Sequence, residues 1–149
     1  MTDLLDRVVL PVASVEDAEA TARAIGPHEM GSLVAVHVIE KAGGAPDKAS
    51  VEQREEVAQE AFEAFSETLG GSRDVDTEIR YGTDVAEAIF AAADDYDATA
   101  IVITPRGGSR WVQLLTGDVA LDLVTQTDRP VVVLPDVEPS DDPAEDGEE

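Results

Sequence analysis

The sequence predicts an α/β fold: an open parallel sheet with helices on both faces. Short, β-branched apolar runs alternate with amphipathic helical segments along the chain. Each stretch between two apolar runs is long enough to hold the crossover helix that parallel strands require. The chain has 149 residues, of which 43% are hydrophobic, and this suits one domain with a sizeable core.

The first half of the chain predicts two strands and two helices. A strand over residues 7–12 precedes Ser14, whose hydroxyl can cap a helix with an acidic first turn. The second strand covers residues 33–39. A loop rich in glycine and proline follows at 40–50, and a helix with one apolar stripe then runs over 50–69.

The second half repeats the alternation and ends on an apolar strand. Its predicted strands cover residues 75–81, 98–104 and 131–134, and its predicted helices cover 85–94 and 118–127. The core of the fourth strand reads AIVI, as expected of a strand that is buried on both faces.

The connection after the fourth strand has the composition of a phosphate-binding loop. Gly107 and Gly108 leave backbone amides uncrowded, and Gly117 directly precedes a helical run. A helix start carries partial positive charge and free N–H groups, which bind phosphate. Glycines before helices also serve only to turn the chain, so this spacing alone is weak evidence.

Four segments resemble the universal stress protein family. They are VVLPVASVEDAEATARAI from Val8, AVHVIE from Ala35, EIRYGTDVAEAIFAAADDYDATAIVI from Glu78 and RPVVVLP from Arg129. The similarity covers about residues 5–135 without a large insertion. It implies a Rossmann-like five-stranded sheet of order 3-2-1-4-5, with a ligand site above the carboxyl ends of strands one and four.

The resemblance also implies a set of nucleotide-binding residues and ATP or AMP, with Mg²⁺, as the ligand. Pro11, Val12 and Val38 correspond to positions that hold the adenosine. The positions that correspond to phosphate contacts are Gly107, Gly108, Ser109, Gly117 and Val119.

Three residues depart from the family pattern. Ala13 replaces the acidic residue after strand one, Thr104 replaces the first glycine of the loop, and Asp118 replaces the hydroxyl residue after the last glycine. Two anionic groups about 4 Å apart repel by roughly 1 kcal/mol in water and by more in a semi-buried site. Asp118 can also accept the free amides of the helix start itself. These departures predict weak or absent ATP binding, although Arg106, Arg110 or a bridging Mg²⁺ could still attract a phosphate.

The sequence predicts a regulatory or stress-related homodimer rather than an enzyme. We expect the dimer to form through the last strand, because Val131, Val132 and Val133 would otherwise leave an apolar sheet edge open. No Ser/His/Asp set or carboxylate pair stands at catalytic spacing in the sequence. Two alternatives remain open: a true ATP or AMP binder with slow or no hydrolysis, and an adaptor that docks another protein.

Charge and composition exclude several further classes. Ten Lys and Arg against 33 Asp and Glu give a net charge of −23, which repels nucleic acids and anionic membranes and is typical of proteins from salt-loving archaea. The chain has no cysteine, and His28 and His37 fall on separate elements, so no metal site is expected. No apolar run is long enough to span a membrane, and we expect a cytoplasmic protein. The domain is expected to cover residues 1–135, followed by a disordered acidic tail over 136–149.

Overall fold

In the computed structural model, strands and helices alternate along the chain. The structure describes residues 3–40, 48–71, 74–104 and 117–135. The elements in chain order are β1 Arg7–Pro11, α1 Val15–Ile25, β2 Ser32–Glu40, α2 Lys48–Leu69, β3 Val75–Gly82, α3 Val85–Asp95, β4 Ala100–Ile103, α4 Gly117–Gln126 and β5 Val131–Val133. The predicted tail over 136–149 lies outside the described residues.

The five strands form one parallel sheet in the order β3-β2-β1-β4-β5, which confirms the predicted topology. The first crossovers move the chain from β1 to β2 and on to β3. The chain then returns past β1 to β4. The direction of winding therefore reverses between β1 and β4. Open α/β sheets bind ligands in a crevice at the carboxyl ends of the strands at such a reversal.

The core consists of two apolar clusters, one on each face of the sheet. Successive residues of a strand point to opposite faces. Val8 and Leu10 accordingly pack with α1 and α2, whereas Val9 packs with α3 and α4. All four residues of β4 are buried. Helices therefore cover both faces, as the continuous apolar run of this strand predicts.

Some element boundaries differ from the predicted ones by one or two residues. Strand β1 ends at Pro11, because the chain turns towards α1 after Val12 has donated its N–H to the carbonyl of Val36. Helix α2 begins at Lys48, before the predicted start at Ser50. Lysine and alanine are good helix formers, and Lys48 and Ala49 add two residues to the helix before Ser50.

Side-chain hydrogen bonds to backbone carbonyls stabilise the amino end of the sheet. The guanidinium of Arg129 donates to the carbonyl oxygens of Ala93 and Ala98, at 2.9 and 3.0 Å, and thereby joins the start of β5 to the end of α3. At Gly31 there is no room for a side chain, since an added Cβ would lie 2.1 Å from the carbonyl oxygen of Asp6.

In the described part of the chain, no helix is both long and apolar enough to cross a bilayer.

Candidate functional site

The candidate site lies where the carboxyl ends of β1, β2 and β4 meet. Val9 pairs with Ile101 of β4, and Pro11 pairs with Val36 of β2. Continuing both registers along the strands places Val12 between Thr104 and His37. Ligands of open α/β sheets bind at this point of strand-order reversal, so the topology marks the site independently of any motif.

The three residues that were predicted to hold an adenosine lie at the carboxyl ends of two neighbouring strands, with Val12 and Val38 packed into core clusters on opposite faces of the sheet. Pro11 is the last residue of β1 and is half-buried, and Val12 directly after it is only 3% exposed. Val38 is half-buried near the carboxyl end of the neighbouring strand β2. All three therefore lie at the same edge of the sheet, on adjacent strands.

The predicted phosphate contacts are described only in part. Gly117 is the first residue of α4, and Asp118 and Val119 follow in its first turn. Gly107, Gly108 and Ser109 lie outside the described residues, as do Arg106 and Arg110. A helix thus begins at Gly117 in the connection that follows β4, and Asp118 is its second residue.

Two departures from the family pattern have distinct surroundings. Ala13 is exposed in the turn after β1. Thr104 directly follows β4 and is 1% exposed, and its hydroxyl has no hydrogen-bond partner among the residues that the structure describes. A buried hydroxyl without a partner loses its hydration without compensation. A glycine at this position would bring no such group into the crevice.

Asp17 stabilises the turn after β1, and the sequence analysis did not identify it. It is 1% exposed, and its Oδ2 accepts the N–H of Ala13 at 2.6 Å. The hydroxyl of Ser14 accepts the N–H of Asp17 at 3.1 Å and caps α1. A serine followed three residues later by an acidic residue is the sequence signal for a capped helix start and could have identified Asp17, although here the carboxylate accepts the N–H of Ala13 and not that of the cap residue.

His37 forms the second contact with the turn after β1. Its Nδ1 lies 3.0 Å from the carbonyl oxygen of Val12, and the ring is 8% exposed. A carbonyl oxygen only accepts, so Nδ1 carries the proton and Nε2 is the acceptor of the neutral ring. Burial lowers the pKa of His37 below its ordinary value of 6.5, while the hydrogen bond to Val12 opposes that change. His37 is therefore a packed strand residue that holds the end of β1 through the Val12 carbonyl.

The described residues at this end of the sheet combine apolar side chains with backbone polar groups. Within the described ranges, no group of three or more His, Cys, Asp and Glu side chains is arranged to hold a metal ion. Val12 and Thr104 are 3% and 1% exposed and lie beneath the surface, so the described surface at this end of the sheet includes half-buried Pro11 and Val38 and exposed Ala13.

Solved structures show the same fold at low sequence identity. A universal stress protein from Archaeoglobus fulgidus is 19% identical, with a TM-score of 0.60, over 87% of this chain and 93% of that chain. A member of the same family from Burkholderia pseudomallei is 20% identical, with a TM-score of 0.64, over 91% and 99%. A universal stress protein solved in complex with cAMP is 15% identical, with a TM-score of 0.60, over 88% and 97%.

The family model for universal stress proteins matches residues 5–135. None of the curated proteins compared with the chain matches it. The matched region spans every described element from β1 to β5, and the sheet order, the crevice at the strand reversal and the helix start after β4 all lie within it. On this evidence the chain belongs to the universal stress protein family.

Proposed function

We propose that the protein is a cytoplasmic stress-response or regulatory homodimer with a degenerate nucleotide site, which binds ATP weakly or not at all and performs no catalysis. The family membership supports a role in stress responses. The departures at positions 13, 104 and 118 support the loss of nucleotide affinity.

The position of Asp118 carries this proposal. It is the second residue of α4, within the turn whose free N–H groups would otherwise be available to a phosphate. An acidic residue there is stabilised by the helix dipole, so its charge occupies the same positive end of the helix that would attract a phosphate. A phosphate about 4 Å from this carboxylate would meet a repulsion of roughly 1 kcal/mol in water and about 4 kcal/mol near a protein surface.

Calorimetric titration with ATP and AMP tests the proposal. The titrations are run at high salt, with and without Mg²⁺, on the parent protein, on Asp118→Ser and on Asp122→Ser. Asp122 is the matched control, because it lies on the same helix and its removal changes the net charge equally. We expect weak or undetectable binding by the parent and by Asp122→Ser, and a clear gain in Asp118→Ser. Micromolar binding by the parent would overturn the proposal.

The alternative is an ATP- or AMP-binding protein with slow or no hydrolysis. One relative of the same fold was solved with cAMP, which shows that a member of this family can hold an adenine nucleotide. In this alternative, Asp118 would help to hold Mg²⁺, which would neutralise the charge of the phosphates. The titration distinguishes the two functions, because only the alternative predicts tight, Mg²⁺-dependent binding by the parent that is lost in Asp118→Ser.

The homodimer is supported by the exposed apolar surface at the β5 edge of the sheet. Val133 of β5 is 51% exposed, and Leu121 and Val124 of α4 are 58% and 51% exposed. An open edge strand with apolar side chains pairs readily with a second copy of the same strand. Light scattering at high salt should give the dimer mass for the parent and the monomer mass for Val133→Lys. A monomeric parent at micromolar concentration would contradict this part of the proposal.

The net charge of −23 supports a protein that works at high salt and does not bind nucleic acid. At low salt the carboxylates repel one another over about 10 Å or more, whereas at molar salt the screening length falls to about 3 Å. The free energy of unfolding should therefore rise from dilute to molar KCl. A salt-independent unfolding free energy would remove the halophilic part of the proposal.

A further inference from the structure

A pocket with a volume of about 200 Å³ lies at the amino end of the sheet, opposite the candidate functional site. It is lined by early residues of β1, β2 and β3 and by the chain after α3, including Arg7, Ser32, Val34, Asp76, Tyr96 and Ala98. A cavity of about 150 Å³ in another protein holds benzene, so this pocket has room for a small molecule. None of these residues belongs to the predicted nucleotide site.

Arg7 brings a positive charge to one side of the pocket. Its guanidinium lies 3.6 Å from the carboxylate of Asp97, whose side chain is 91% exposed. This separation is longer than a hydrogen bond, and an exposed ion pair of this kind contributes little to stability. Arg80, in contrast, lies 2.7 Å from Glu78. The guanidinium of Arg7 can therefore donate to the carboxylate of a ligand, which it can bind through two parallel hydrogen bonds.

Asp76 and Tyr96 bring negative charge and an aromatic ring to the other side of the pocket. Asp76 lies on β3, which is separated from β1 by β2, so the two strands are about 10 Å apart. The pKa of the Tyr96 hydroxyl is raised by burial and by the negative charges of Glu78 and Asp76. Negative charge and an aromatic face both attract an ammonium group. The ion pairs of the described residues do not join Arg7 to Asp76, so the two opposite charges line one pocket without neutralising each other.

We propose that this pocket binds a small zwitterion with one carboxylate and one ammonium group, such as a free amino acid. The carboxylate lies at Arg7, and the ammonium lies at Asp76 and Tyr96. A zwitterion has no net charge, so the net charge of −23 on the protein does not repel it as it repels a simple anion. A simple cation would leave Arg7 without a partner in the ligand. The proposal is independent of the nucleotide site, because the two sites lie at opposite ends of the sheet.

Titrations of the parent protein with glycine and β-alanine, followed by NMR of the backbone amides, test the proposal. Acetate and methylammonium serve as ligands that carry only one of the two charges. We expect at least one zwitterion to shift the amides of Ser32, Val34 and Ala98 with a Kd of about 1–10 mM, and each single ion to bind at least about tenfold more weakly. No shift of these amides by either zwitterion at about 100 mM would overturn the proposal. Equal affinity for acetate or methylammonium would also overturn it.

Two variants with matched controls assign the binding to the pocket. Arg7→Gln and Asp76→Asn should each weaken binding of the zwitterion at least about tenfold, because each removes one of the two charged partners. Arg54→Gln and Asp74→Asn make the same changes at exposed positions outside the pocket and should keep the parent affinity. An unchanged affinity in Arg7→Gln or Asp76→Asn would overturn the proposal. The comparison of zwitterions with single ions uses the parent protein alone, so it stands even where a variant fails to fold.

Discussion

Replacing Thr104 with valine should stabilise the protein, although it removes a polar group from the candidate site. The two side chains have nearly the same shape, so packing is preserved. The hydroxyl of Thr104 is buried at 1% exposure and has no partner among the described residues. A buried hydroxyl of this kind costs about 1–3 kcal/mol relative to water.

The expected gain in the free energy of unfolding follows from the burial of the Thr104 hydroxyl and from its lack of a partner among the described residues. Removing the hydroxyl should raise the free energy of unfolding by about 1 kcal/mol, which corresponds to about 2–4 °C in melting temperature for a domain of this size. Urea unfolding at constant high salt, followed by circular dichroism, measures the change. The midpoint should increase while the denaturant slope stays constant.

Thr99→Val is the matched control, and its expected effect has the opposite sign. The hydroxyl of Thr99 accepts the N–H of Arg7 at 3.0 Å and donates to the carbonyl of Leu4 at 2.7 Å. Its loss should therefore lower the free energy of unfolding by about 1–2 kcal/mol. A destabilised Thr104→Val variant would refute the reasoning, because it would mean that the hydroxyl has a partner in the folded protein.

Three further predictions test other parts of the structure. The free energy of unfolding should fall as the pH decreases below 6.5, because burial lowers the pKa of His37 and the unfolded chain therefore binds this proton first. In a pH series of unfolding measurements, His37→Phe should remove the part of the decrease that His37 causes. Gly31→Ala should lower the free energy of unfolding by more than about 2 kcal/mol, because the added Cβ would lie 2.1 Å from the carbonyl oxygen of Asp6. Gly26→Ala is the control: its Cβ would meet no atom closer than 3.5 Å, so its melting temperature should be close to that of the parent. Arg129→Lys should lower the free energy of unfolding, measured with urea, by about 2 kcal/mol, because an ammonium group cannot reproduce both contacts of the guanidinium with backbone carbonyls. A melting temperature within error of the parent in the Gly31→Ala or Arg129→Lys variant would contradict the corresponding contact.

The fold could be predicted from the sequence because its signals are local and repeated. Each buried strand is an apolar run, and the Ser14 cap marks the start of α1 as predicted. The strand order required more than the pattern of apolar residues, since periodicity does not state which strands pair. It was taken from the resemblance to the family, and the sheet confirms it.

The candidate site could be predicted less completely. Pro11, Val12 and Val38 lie at the same end of the sheet because neighbouring parallel strands end there together, and their contact with an adenosine stays a prediction. Asp17 was missed, since an acidic residue in the first turn of a helix usually faces solvent, and its burial depends on tertiary contacts. The hydrogen bond between His37 and Val12 was missed for the same reason, because it joins residues 25 positions apart.

The affinity of the protein for ATP, compared between the parent and Asp118→Ser at high salt, tests the central claim most directly. A carboxylate in the first turn of α4 predicts weak or no binding by the parent and at least about tenfold tighter binding by the variant. Tight binding by the parent, with no gain from the serine, would contradict the account.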